Sequence, residues 1–172
     1  MIVQKGFTFI ELLITMSIMF AVMSIGLPSY QSFIINTRLI TSANAMVSAL
    51  QFAKSEAIKQ HKNVLIMPKD RVDWQSGWLI FVDLNNNFVQ DAAELTLTEF
   101  DPLSTTIDVV ANSPTTKYQL YDANGRSTPN RTFTFCSQDG QNYRDVIVFV
   151  TGRVRVESPK SASDQSSNKC PP

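Results

Sequence analysis

The sequence predicts an α+β chain, with one long N-terminal helix followed by antiparallel β-structure. Three observations predict it. Residues 7–27 are almost wholly apolar. From there to about residue 62 apolar side chains recur at helical spacing, and from residue 63 the pattern changes to alternation or short apolar runs. Strands that come after one long helix argue for antiparallel sheets covered by its apolar face.

The helix is justified first. After Pro28, which predicts a kink near Gly26, the apolar face carries Phe33, Ile40, Ala43, Met46, Val47, Leu50, Ala53, Ala57 and Ile58. Arg38, Lys54 and Lys59 stand to its sides, and His61 near its end reads as a surface residue. The strands come next as VLIM (64–67), WLIFV (78–82), LTLTEF (95–100), IDVVA (107–111), KYQLY (117–121), TFTFC (132–136) and DVIVFV (145–150). Turn signals separate them, at Ser76-Gly77, the asparagines 85–87, Asn124-Gly125 and Asp139-Gly140. Trp78, Phe81 and Ile147 are expected in the core, with Trp74 capping it.

Length and charge set bounds. At 172 residues this is one domain with extensions, and its formal net charge is zero, so nothing global attracts nucleic acid. Locally the chain is less neutral. Asp83, Asp91, Glu94, Glu99 and Asp101 form an acidic stretch, whereas Arg153, Arg155, Lys160 and Lys169 outnumber Glu157 and Asp164 near the end. The two cysteines, Cys136 and Cys170, both lie beyond the apolar segment. If that segment exports the rest of the chain, they meet an oxidising compartment and can pair, tethering a polar tail by about 3–4 kcal/mol.

The N-terminus departs from an ordinary secretory signal. Its small residue, Gly6, precedes the apolar run instead of coming after it. Cleavage between Gly6 and Phe7 leaves the apolar helix on the mature chain, long enough to span a bilayer core of ~30 Å. Lys5 fits a cytoplasmic N-terminus. Glu11 interrupts the run, and an unpaired carboxylate there costs roughly 3 kcal/mol in lipid. After cleavage it lies one helical turn from a new amine, and the amine of a neighbouring subunit can neutralise it and fix axial stagger.

The segment KGFTFIELL resembles the class III signal of type IV pilins and type II secretion pseudopilins. The resemblance implies a prepilin peptidase that cuts after Gly6, N-methylation of Phe7, and Glu11 as the recruitment glutamate of assembly. LQFAKSEAIKQ (50–60), WQSGWLIFVDLNNN (74–87), ANGR (123–126) and RDVIVFVTGRVR (144–155) are similar to the GspH/FimT family of minor pilins and pseudopilins. This implies a pilin fold. Residues 1–6 are the leader, 7–28 a membrane and filament-core helix, 29–62 its amphipathic half, 63–156 the β-rich head, and 157–172 a tail tethered through Cys136 and Cys170. The implied partners are other pilins, the peptidase and the inner membrane, with the head in the periplasm and then on a fibre. Phe88 departs from relatives that often have glycine after the asparagine run.

Two places could carry chemistry. DLNNNFVQDAAE sets Asp83, Asn85, Asn87, Val89, Asp91 and Glu94 at the oxygen-ligand spacing of a calcium loop, but Phe88 replaces the glycine of its sharp turn. A solvated hairpin is the favoured reading. In GRVR, Arg153 and Arg155 of an extended chain point the same way about 6.5–7 Å apart, near the spacing of successive phosphates. Gly152 allows close approach, and Lys160 and Lys169 extend the charge. FimT-type minor pilins of some transformable bacteria bind DNA through a GRxR motif, which these residues match. The readings that stay open are backbone binding of double-stranded DNA for uptake, an edge-protecting strand in a purely structural minor pilin, and a pseudopilin of type II secretion. One histidine and no phosphate loop argue against an enzyme, and no cofactor is expected.

Overall fold

The structure is a computed structural model. It describes residues 6–112, 117–138, 140, 142–158 and 170, with the backbone alone at 25, 28 and 29. Lys160, Lys169 and Asp139 lie outside the described residues. The chain divides into two compact units, Met1–Ile35 and Asn36–Pro172.

Helix α1, Phe9–Gln60, runs through both. In the first unit its apolar side chains are exposed, Phe9 and Phe20 among them. The hydroxyls of Thr15, Ser17 and Ser24 donate to the carbonyls of Leu12, Leu13 and Ala21, which satisfies polar atoms inside an apolar stretch. Among the described residues no helix is long and apolar enough to cross a membrane, so the span expected over 7–28 is not met there. That span includes positions 25 and 28, whose side chains lie outside the described residues.

In the second unit α1 buries Leu39, Ala43, Met46, Ala49, Leu50, Ala53 and Ala57. The small alanines let backbone and sheet approach closely, and the larger residues fill the core. The expected face was right at Ala43, Met46, Leu50, Ala53 and Ala57, but Phe33, Ile40 and Ile58 are exposed. The helix stops with His61 in the left-handed region (φ 52°) and the Lys62 N–H donating to the Ala57 carbonyl, a Schellman closure.

Two antiparallel sheets receive this face. The first has the order β3-β2-β1-β5-β6, with β1 Asn63–Pro68, β2 Trp78–Asp83, β3 Thr96–Phe100, β5 Gln119–Tyr121 and β6 Ser127–Thr128. The second has the order β4-β7-β8-β9, with β4 Ile107–Ala111, β7 Arg131–Ser137, β8 Tyr143–Val148 and β9 Val154–Glu157. Seven of these strands lie where the sequence predicts them. The short β6 was not expected, whereas β9 lies where an edge strand was one of the readings left open for GRVR.

The inner faces of both sheets and the helix share one core that includes Val64, Ile66, Trp78, Ile80, Phe133 and Val146. Trp74, in the short 3-10 turn Trp74–Ser76, is buried edge-on against Phe133. The guanidinium of Arg131, also buried, lies over both rings, and burial pushes its pKa down to about 10. Ile147 corrects an expectation. It alternates with buried Val146 and Val148, so it faces outward and is half-buried.

A second cluster covers the outer face of the first sheet. Leu65, Met67, Leu79 and Phe81 pack there, with Tyr118 and Leu120 against them. The continuous apolar runs of β1 and β2 are explained by this burial on both faces. Phe81 is therefore core, as expected, but of this second cluster.

Candidate functional site: the N-terminal turn and the basic hairpin

Gly6, Phe7 and Thr8 precede the helix and are exposed. The Thr8 carbonyl accepts from the Leu12 N–H at 3.2 Å, which makes Thr8 the N-cap of α1. The Glu11 N–H donates to Thr8 Oγ1 at 3.3 Å. In return the Thr8 N–H and hydroxyl both donate to Glu11 Oε2, each at 3.1 Å. This is a complete capping box. Glu11 therefore has a local partner before any second subunit is considered. Sequence reasoning missed this role, although the threonine-x-x-glutamate spacing at 8–11 signals it.

The GRVR residues form the end of a hairpin. The Gly152 N–H donates to the Phe149 carbonyl at 2.7 Å, and the Phe149 N–H donates to the Arg153 carbonyl at 2.9 Å. A three-residue loop of this type needs a left-handed residue at its end, and Gly152 supplies it with φ 71°. Gly152 is buried. Its close approach is internal: a Cβ there would stand 1.9 Å from the Gly125 carbonyl oxygen. Lys54 Nζ donates to the Gly152 carbonyl at 3.1 Å, and the Ser127 N–H donates to the Val150 carbonyl at 2.9 Å. The ANGR turn, the GRVR turn and the helix thus interlock.

Arg153 and Arg155 are both exposed. Arg155 pairs with Glu157 two residues along β9. Its register partner is Ile147, and Glu157 stands opposite Asp145. Asp145, next to Arg144 in sequence, does not lie on the surface. It is buried, and it accepts the Thr134 hydroxyl at 2.7 Å. A groove of about 400 Å³ on this face runs between Thr132, Thr134, Asp145, Ile147 and Glu157. Phosphate would therefore meet carboxylates beside Arg155, while Arg153 lies beyond them at the turn.

The asparagine loop satisfies itself. Asp83 accepts the N–H groups of Asn86 and Phe88, at 2.7 and 3.1 Å. Glu94 accepts those of Leu84 and Asp91, and Asp91 takes the side-chain amides of Asn85 and Asn87. Among the described residues no group of three His, Cys, Asp or Glu side chains could hold a metal. Phe88 sits at φ 60° and stacks on Tyr118, with ring centroids 5.0 Å apart. It is exposed and rests on Tyr118, which itself packs against the second cluster, instead of shaping a cation loop. Cys136 and Cys170 form a disulfide with Cα atoms 5.8 Å apart.

Comparison with known proteins gives this geometry a lineage. Residues 42–152 match the family described as type II transport protein GspH. The chain belongs to the GspH family. Residues 1–27 match the prokaryotic N-terminal methylation motif, so this GspH-family chain carries both parts of a type IV minor pilin or pseudopilin. A crystal structure of the type IV minor pilin FimU of Pseudomonas aeruginosa is similar at 26% identity and a TM-score of 0.61, covering 76% of this chain and 98% of that one. The minor pseudopilin EpsH of the Vibrio cholerae type 2 secretion system shares the fold, at 12% identity and a TM-score of 0.54, covering 72% of this chain and 99% of that one. A fimbrial protein of P. aeruginosa is 41% identical over 69 residues, which is 39% of this chain and 44% of the relative. The chain thus matches under half the length of the curated relatives. Pilins and pseudopilins are structural proteins, and the GspH family places this chain with them, not with enzymes.

Proposed function

We propose that the chain is a minor type IV pilin, made with a leader that a prepilin peptidase removes after Gly6. Phe7 is then N-methylated, the apolar helix holds the subunit in the inner membrane, and the head faces the periplasm. The subunit enters the fibre at or near its tip by side-by-side packing of α1 with other pilins, using Glu11. The observation that carries this reading is the pairing of a methylation motif over residues 1–27 with a GspH head over 42–152 in one chain. The mass of the mature N-terminus tests it. Methyl-Phe7 is expected, and a mature chain beginning at Met1 sinks the proposal.

A second reading adds double-stranded DNA, held by its phosphates at Arg153 and Arg155 during uptake. The exposure of both arginines on one edge of the second sheet favours it. The salt slope of binding by the soluble head tests it. One to two neutralised phosphates give a slope between about −0.9 and −1.8. Arg153→Gln is expected to lower retention with normal piliation. Loss of piliation instead supports a purely structural role. The third reading, a type II secretion pseudopilin, rests on the fold shared with EpsH. A deletion strain that secretes normally but fails in twitching or transformation excludes it.

A further inference from the structure

We infer that the free edge of β9, with the groove between it and α1, receives an extended segment of another pilin in which apolar and acidic residues alternate. The inference rests on the minor-pilin reading above and names a surface through which the head meets a neighbour. Strand β9 ends the second sheet and pairs with β8. The Phe149 N–H donates to the Arg153 carbonyl and closes the hairpin. Bonded residues alternate along an antiparallel ladder, so from this pair onward Arg155 and Glu157 turn their backbone groups toward β8. The N–H and C=O groups of Val154 and Val156 then point to the open side, and among the described residues no further strand covers them. Such a row of backbone groups is a template for another strand.

The edge has an apolar floor beside it. Val156 stands opposite Val146, a core residue, and so faces the helix side of the sheet, yet Val156 itself is exposed. With Ile40, Ala43 and Asn44 of α1 and Arg144 of β8 it lines a groove of about 240 Å³. Ile40 is exposed there although helical spacing places it on the buried face. A strand added to β9 sets every second side chain over this groove, where an apolar one covers both Ile40 and Val156. Charge selects the other side chains. Among the described residues neither Arg144 nor Arg153 forms an ion pair, and Arg155 has only its weak surface pair with Glu157. An edge with three arginines repels a second β9 edge and admits a strand that carries carboxylates.

Amide hydrogen exchange of the full-length chain in detergent micelles tests the edge itself. The probe is a capped hexapeptide of alternating valine and glutamate. At saturating peptide the Val154 and Val156 amides are expected to exchange about fivefold more slowly, the scale of one added net hydrogen bond. A valine–lysine hexapeptide is expected to protect neither. In cells, Val156→Pro removes an outward N–H at an edge position, where proline is tolerated. It is expected to keep the wild-type membrane level yet to enter fibres about fivefold less, again the scale of one hydrogen bond, and Val156→Ile is expected to restore entry. Where proline disturbs the strand itself, Ile40→Glu, at an exposed helix position, is expected to abolish protection by the acidic peptide with the melting temperature unchanged. No protection by the acidic peptide, or equal protection by the lysine peptide or a DNA duplex, overturns the inference. Edge amides already protected without peptide, by the chain's own tail or a second copy, overturn it too. Val156→Pro entering fibres at the wild-type level overturns it and leaves the minor-pilin reading intact. A wild-type chain absent from fibres overturns both.

Discussion

Gly152→Ala separates the structural duty of the GRVR hairpin from any binding duty. The added Cβ would lie 1.9 Å from the Gly125 carbonyl oxygen, a backbone atom that cannot swing aside. The φ of 71° adds the left-handed penalty of a non-glycine residue, about 1–2 kcal/mol. Parting the two turns also breaks the bonds from Lys54 Nζ to Gly152 and from Ser127 to Val150, about 1 kcal/mol each. The sum is about 3–4 kcal/mol. For a head of this size the melting temperature should fall by roughly 10–15 °C. Thermal unfolding of the soluble head, cut near Tyr30, measures it. Gly125→Ala serves as the internal control. The atoms nearest its Cβ belong to the side chains of Ile58 and Lys54, the first at 2.7 Å, which can rotate away, so the backbone penalty of about 1–2 kcal/mol dominates. A Gly152→Ala head that melts within about 2 °C of wild type, or that melts above Gly125→Ala, would refute the interlocked-turn account. The consequence for function is direct: a DNA-binding defect in a Gly152 variant reports a displaced hairpin, so only the arginines test phosphate contact.

Phe88→Ala should cost about 1–2 kcal/mol through the lost Tyr118 stack, while Phe88→Gly should cost less because it relieves the positive φ. Denaturant titration ranks them, and an equal cost refutes the strain argument. Calcium should leave the melting temperature of the wild-type head unchanged within about 1 °C, since the loop's carboxylates already accept backbone and amide N–H groups. Cys170→Ser, which opens a bridge across a sequence separation of 34, should lower stability by about 4 kcal/mol in the chain-entropy estimate, read from unfolding with and without reductant. Burial raises the pKa of Tyr121, so above about pH 10 the unfolded chain sheds that proton before the folded one does. Stability from this group is complete below that pH and declines above it. Arg131, lowered to about 10, acts in the opposite sense, so the informative quantity is the difference between wild type and Tyr121→Phe. The variant should lose less stability between about pH 10 and 11, and parallel curves would exclude the effect.

What the sequence revealed tracked periodicity, and what it concealed tracked contact between distant segments. The helix and seven strands were legible because local patterning and burial agree there. The runs VLIM and WLIFV gave notice of burial on both faces, though not of what covers the outer one. That cover includes Tyr118 and Leu120, which reach β1 and β2 from a segment far along the chain, a contact that only the fold sets. DVIVFV misled at Ile147, because an unbroken apolar run hides the alternation that aims every second residue at the opposite face. Strand β9 was legible only as one of two readings, because its arginine suits an exposed edge as well as an anion contact. The capping box was legible but overlooked, since a charge in an apolar run directs attention to distant partners first.

The hairpin shows why a motif match must be divided residue by residue. Gly152 is required by the turn and by the Gly125 contact, so its presence carries no information about a ligand. Arg155 answers Glu157 on an exposed surface, where such a pair contributes at most about 1 kcal/mol, so phosphate could displace it. The carboxylates would remain, however, and Asp145 is held by the Thr134 hydroxyl beside the same strand. A phosphate at Arg155 meets that repulsion, while one at Arg153 meets less. A salt slope near about −0.9, lost with Arg153→Gln and kept with Arg155→Gln, therefore marks DNA held at the turn; a slope near about −1.8 that either change halves marks both arginines as equal contacts and removes the electrostatic distinction drawn between them.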